Sequence, residues 1–144
     1  MSEIPGPLVA VKALAPFQFA PIAIPIDASS KGLIYFGSTE APMQESLDQL
    51  SASGFPIDAM RIRSFPFCEE VWDFIDQHES IFLVEQNRDA QMKTLMLSEG
   101  NINPEKLISV LCFDGAPITA DFISKSIIEI LSDKNTSKTA EEIK

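Results

Sequence analysis

Cysteine, histidine and basic side chains are all scarce in this sequence. Two cysteines, Cys68 and Cys112, stand far apart without CxxC spacing. That excludes a disulfide scaffold, and a zinc or iron-sulfur site built from this chain alone. A single histidine, His78, leaves zinc-hydrolase chemistry short of ligands. The 11 lysines and arginines face 21 carboxylates, a formal net charge of −10. Such a balance argues against nucleic acid or an anionic membrane surface as the main partner. Long apolar runs are missing too: Pro5, Pro7, Pro16, Pro21 and Pro25 interrupt the most apolar region well before it could span a bilayer. The start also lacks the basic-then-apolar layout of a signal peptide. A soluble protein in a reduced, cytoplasmic setting is the expectation.

What is present suits one domain. The 144 residues are 45% apolar, enough to bury a core. Residues 1–31 form a proline-rich arm that suits an extended edge, with at most one edge strand, its Phe17 and Phe19 and then Ile22, Ile24 and Ile26 alternating along one side. From Lys31-Gly32 onward, strand and helix patterns alternate, the mark of an α/β domain around a mainly parallel sheet over residues 32–132. Short apolar strands are predicted at 33–36, 59–64, 81–84 and 108–113. Helices are predicted between them: one capped by Ser38 or Thr39 with Met43, Leu47 and Leu50 inward and Gly54 at its end, and one opening at Glu69-Glu70. A third is capped by Asn87 or Asp89 with Met92, Leu95 and Met96 inward, and the last is capped by Thr119 and runs to Ser132. The polar residues 133–144 are predicted to be a disordered tail.

In an open parallel sheet, ligands sit beyond the carboxyl ends of the strands, so the places for chemistry are Gly37-Ser38-Thr39, Ser64-Phe65, Glu85-Gln86-Asn87-Arg88 and Asp114-Gly115. Gly37, Ser38 and Thr39 offer backbone N–H groups that can hold an anion, or simply cap a helix; the GxGxxG and GxxxxGK[ST] contexts of a phosphate loop are absent. Glu85, Gln86, Asn87 and Arg88 form the most polar cluster, ending the best buried strand. A base, a ligand-binding set, or a cap with a salt bridge and an inter-domain contact all fit that pattern. His78, among Asp76, Gln77 and Glu79, reads as a solvated helix end. Cys68 stands where a helix N-terminus could lower its pKa, but no base neighbours it in sequence; Cys112 reads as core. Trp72 and the stretch from Met92 to Met96 have the spacing of core or interface residues.

Four stretches, taken together, resemble one known family. They are 32–39 (GLIYFGST), 61–71 (RIRSFPFCEEV), 82–91 (FLVEQNRDAQ, the most specific, ending at Gln91) and 113–119 (FDGAPIT). They are similar to the C-terminal domain of the α subunit of 2-oxoacid:ferredoxin oxidoreductases, most of all the 2-oxoglutarate type, over about residues 32–131. The resemblance implies a transketolase-C-like fold: a three-layer αβα sandwich around a mostly parallel, five-stranded mixed sheet, with the fifth strand supplied by the arm or by a short missed segment. It also implies a holoenzyme that decarboxylates a 2-oxoacid oxidatively with thiamine diphosphate and Mg²⁺, passes electrons through an iron-sulfur cluster to ferredoxin, and forms an acyl-CoA. Those sites are expected in other domains and subunits. Cys68 stands where the family commonly has proline. The expectation is therefore a non-catalytic assembly domain that contacts the rest of the α subunit and the β subunit, and that can form a homo-oligomer. Gly37, Ser38, Thr39, Glu85, Gln86, Asn87, Arg88 and Gln91 are its candidate interface or anion-binding residues.

Overall fold

The computed structural model describes residues 30–142. The arm's apolar alternation and its edge strand lie outside the described residues. The element order is β1 (Lys31–Phe36), a 3-10 turn (Gly37–Glu40), α1 (Met43–Ala52), β2 (Asp58–Ile62), α2 (Glu69–Gln77), β3 (Ser80–Glu85), α3 (Gln91–Glu99), a 3-10 turn (Pro104–Lys106), β4 (Leu107–Leu111) and α4 (Ala120–Glu142). The alternation of strand and helix read from the sequence is present throughout.

The four strands form one sheet in the order β2-β1-β3-β4, and each neighbouring pair is parallel. Parallel strands covered on both faces must be apolar on both, which is why Leu33-Ile34 and Ile81-Phe82-Leu83-Val84 are unbroken apolar runs with no exposure. Their period of two splits them between two cores. Leu33, Ala59 and Phe82 stand in register in one row; with Val84 and Val110 they pack under α1 and α4. Ile34, Met60 and Leu83 form the adjacent row and face α2 and α3 through Phe74, Ile75 and Met96. The result is three layers, helix over sheet over helix, with four strands among the described residues.

Two close approaches set the spacing of the helices that cover the second face. A Cβ on Gly32 would meet Ile81 Cδ1 at 2.7 Å and the Phe74 ring at 2.9 Å, so a bare backbone lets α2 settle on β1. At the end of α3, Gly100 receives the Trp72 ring in the same way, a Cβ there lying 2.6 Å from Trp72 Cζ3. Gly54 follows α1 with a φ of 86°, the left-handed conformation that ends helices, and the Phe55 N–H behind it donates to the Leu50 carbonyl at 2.9 Å.

Three local expectations change. Ser38 and Thr39 do not cap α1: the chain first makes a 3-10 turn, and α1 starts after Pro42, without a side-chain cap. His78 is not solvated. It is 5% exposed, its Nδ1 lying 2.6 Å from the Phe74 carbonyl and its Nε2 3.0 Å from Asp58 Oδ2, so it ties the end of α2 to the start of β2. Finally, α4 passes Ser132 and continues to Glu142. Residues 133–142 carry no glycine or proline, and an existing helix extends at much lower cost than a new one nucleates. Thr119 caps it as expected, accepting from the Phe122 N–H at 3.2 Å.

Candidate functional site

The strand order reverses at β1, with β2 on one side and β3 on the other, so the crevice beyond the carboxyl ends of β1 and β3 is the topological switch point of the sheet. The two candidate segments meet there. Gln86, just past β3, donates from Nε2 to Ser38 Oγ at 2.9 Å and to Thr39 Oγ1 at 3.1 Å. Thr39 is buried beneath this bridge, whereas Gly37 and Ser38 are exposed. The amide thus draws the two loops together, and both hydroxyls are already engaged.

Glu85 ends β3 with no exposure at all. Its Oε1 accepts from the Met92 N–H at 2.6 Å and from Asn87 Nδ2 at 3.0 Å, and its Oε2 accepts from the Lys93 N–H at 3.3 Å. A carboxylate at the positive end of α3, meeting backbone donors that have no intrahelical partner, acts as a cap supplied from the neighbouring strand. Asn87 completes it: Oδ1 accepts from the Gln91 N–H at 3.2 Å. Between them Ala90 takes a left-handed backbone, φ 49°, which turns the chain into α3. A general base needs a lone pair that a substrate can reach; both Glu85 oxygens point at donors of their own chain. Arg88 is exposed and bonds Asp89, Nε to Oδ1 at 2.9 Å. Asp89, the other cap expected for α3, is spent on that pair.

The thiols are no closer to catalysis. Burial raises the Cys68 pKa, and the hydrogen bond and charge of Glu70 raise it further against the opposing backbone N–H groups, which corrects the expected lowering at a helix N-terminus. Cys112 is core, as expected, 7% exposed. Cys68 packs beside the core under α2 and α3, and Cys112 in the core under α1 and α4, so the sheet separates them.

A third strand-end segment, Ser64-Phe65, lies on the other side of β1. A cleft of about 350 Å³ opens beyond the carboxyl ends of β1 and β2, lined by residues that include Arg61, Arg63, Phe65, Phe67 and Met92. Its signal in the sequence is the Arg61-Ile62-Arg63 alternation running into Phe65-Pro66-Phe67. The contribution of α3 to the wall, through Met92 and Leu95, has no counterpart in local sequence.

The groups implied by the family resemblance can be tested against these residues. An iron-sulfur cluster needs about four thiolates, and the two cysteines present are on opposite faces of the sheet. Among the described residues no three His, Cys, Asp or Glu side chains are grouped to hold a metal ion. Two thiols on opposite faces of the sheet do not fit an iron-sulfur cluster.

Fold and site together define an open parallel α/β domain whose strand-end polar groups are committed to holding its own loops and helices. No family model matches the chain. It is 28% identical over 105 residues, 72% of its length, to subunit alpha of 2-oxoacid:ferredoxin oxidoreductase 2 from Aeropyrum pernix. Its fold is similar, with a TM-score of 0.60 and 26% identity over 69% of the chain, to the 2-oxoglutarate:ferredoxin oxidoreductase of Magnetococcus marinus, solved with 2-oxoglutarate, coenzyme A and succinyl-CoA bound. The alpha chain of a probable 2-oxoacid ferredoxin oxidoreductase from Thermoplasma acidophilum is 24% identical over 76% of this chain and 94% of that one, with a TM-score of 0.49. The resemblance read from the sequence is met by these relatives: the chain is similar to the α subunit of 2-oxoacid:ferredoxin oxidoreductases, the 2-oxoglutarate type among them. It spans 16% of the length of the curated relative and 17% of the Magnetococcus chain.

Proposed function

We propose that this chain is a structural domain of a 2-oxoacid:ferredoxin oxidoreductase α subunit, one that helps to assemble the enzyme and takes no part in its bond making. The holoenzyme of this reading oxidatively decarboxylates a 2-oxoacid, with 2-oxoglutarate as the substrate we infer, to an acyl-CoA. Thiamine diphosphate, Mg²⁺, the iron-sulfur cluster and coenzyme A belong to its other domains and subunits. The partners are the rest of the α subunit, the β subunit and, for the whole enzyme, ferredoxin, in the cytoplasm. The same reading makes the sheet five-stranded and the fold transketolase-C-like.

The observation that carries it is the commitment of Glu85. The similarity extends over most of this chain and a small part of the relative, and the carboxylate at the C-terminal end of its best buried strand is spent on capping α3. Phe113, 60% exposed just past the edge strand β4, adds an apolar contact point of the kind an inter-domain surface uses.

An amide chemical-shift titration of the full chain tests this. Thiamine diphosphate with Mg²⁺, coenzyme A, 2-oxoglutarate and phosphate, added separately, are expected to leave Gly37–Thr39 and Glu85–Arg88 unmoved. Localised, saturable shifts at those residues would overturn the structural role and make the chain an anion- or effector-binding module.

A further inference from the structure

We propose that His78 and Asp58 form a proton-dependent latch between the end of α2 and the start of β2: the fold holds His78 as the imidazolium, and loss of that proton loosens the contact. The inference does not rest on the assembly role. It follows from the groups the ring meets. Nδ1 lies 2.6 Å from the Phe74 carbonyl and Nε2 lies 3.0 Å from Asp58 Oδ2. A carbonyl and a carboxylate can only accept hydrogen bonds, whereas a neutral imidazole has one donor nitrogen and one acceptor. Neutral His78 would therefore set a lone pair against a lone pair on one side of the ring. The imidazolium donates to both. At 5% exposure the ring cannot readily exchange either partner for water.

The surroundings favour the charge. The backbone N–H of His78 donates to the Ile75 carbonyl at 3.4 Å, which leaves the Phe74 carbonyl, at the negative end of α2, to the ring; a cation there is stabilised by the helix dipole. The Phe74 ring lies 4.3 Å from the imidazole between centroids, close enough to attract a cation. Asp58 keeps 25% of its side chain in contact with solvent, which favours its ionised form. The other titratable groups on the elements around the ring are exposed carboxylates: Asp73 and Asp76 on α2, Glu79 before β3 and Glu99 at the end of α3. Lys31 stands on the opposite face of β1, because the Cβ direction of the adjacent Gly32 points at Phe74.

His78 is the only histidine, so its ring signals identify themselves in nitrogen–proton correlation spectra of the isotope-labelled full chain. Both ring nitrogens are expected to carry protons at about pH 7. The unfolded chain gives up its imidazole proton near the ordinary value of about 6.5, so above that point the folded state binds the extra proton and the unfolded state does not. Stability from the latch is then fully present at lower pH and is lost as pH rises through the deprotonation of folded His78. Between about pH 6 and pH 9 the folding equilibrium constant in urea unfolding should fall about tenfold, roughly what a cation at a helix end contributes. Asp58→Asn, whose amide can donate to a neutral Nε2, should leave only Nδ1 protonated at about pH 7 and remove that fall. If the variant does not fold, the ring spectrum of the unaltered chain still decides. A single protonated ring nitrogen in the unaltered chain at about pH 7, or an equal fall in stability in Asp58→Asn, would overturn the proposal.

Discussion

Burial raises the Cys68 thiol above its ordinary pKa, and Glu70, which accepts its hydrogen bond and sets a negative charge beside it, raises it further. An ordinary thiol is roughly one-tenth thiolate at pH 7.5; Cys68 holds less, because both effects favour the protonated form. Iodoacetamide at pH 7.5 is therefore expected to alkylate Cys68 more slowly than free cysteine. The rate should keep rising with pH beyond the point where free cysteine levels off. Glu70→Gln should move that profile towards the ordinary one, since it removes the negative charge. Mass spectrometry identifies the labelled thiol and separates it from buried Cys112. A Cys68 rate equal to or above that of free cysteine would restore the thiol as a nucleophile. His78 teaches the same lesson from the opposite direction: its neighbours in sequence are acidic and polar, but its partner Asp58 is 20 residues away, and the fold buries a side chain that local composition assigns to solvent.

At the scale of elements, Glu85 and α3 depend on each other. The helix begins with N–H groups that have no internal acceptor, and the buried carboxylate at the end of β3 takes those of Met92 and Lys93 while Asn87 takes that of Gln91. Glu85→Ala leaves these donors unmet inside the protein and is expected to cost roughly 2–4 kcal/mol of stability in urea unfolding. Glu85→Gln keeps the shape and one acceptor oxygen, so it should lose roughly half as much. A change within about 0.5 kcal/mol, the range of ordinary surface substitutions, would end the capping argument. Strands β1 and β3 and the inward faces of α1, α2 and α4 were legible in the sequence, because apolar runs and helical spacing of Leu, Ile and Phe are local signals. The candidate loops were legible for the same reason, since strand ends can be located. Capping by Asn87 was legible too, but the long-range pairings were not: the bridge from Gln86 to Ser38 and Thr39 joins residues 48 and 47 positions apart, and the cleft is assembled from β1, β2 and α3. Pairings of that range are decided by strand order, which periodicity does not encode.

For the whole molecule, strand order decides which surfaces need covering. With β1 and β3 central, β2 and β4 are the edges of the described sheet, and a strand edge carries backbone N–H and C=O groups that a further strand can pair with. The β4 edge leads directly into Phe113, exposed by 60%, beside a second hollow of about 300 Å³ that Phe122 helps to line. An apolar ring next to a strand edge resembles the centre of a contact surface more than solvent-facing decoration, and the net charge of −10 keeps such a chain dispersed only until that patch finds a complement. Sedimentation velocity on the full chain is expected to show concentration-dependent self-association, strengthened by salt, which screens the repulsion between acidic copies. Phe113→Glu should abolish it by placing a charge in the patch, while thermal unfolding stays nearly unchanged because the ring is mostly outside the core. A chain that remains monomeric at all concentrations, or a Phe113→Glu variant that associates as before, would remove this face from the assembly reading. The amide titration is indifferent to that result, so an assembly surface elsewhere would still be distinguished from a binding module.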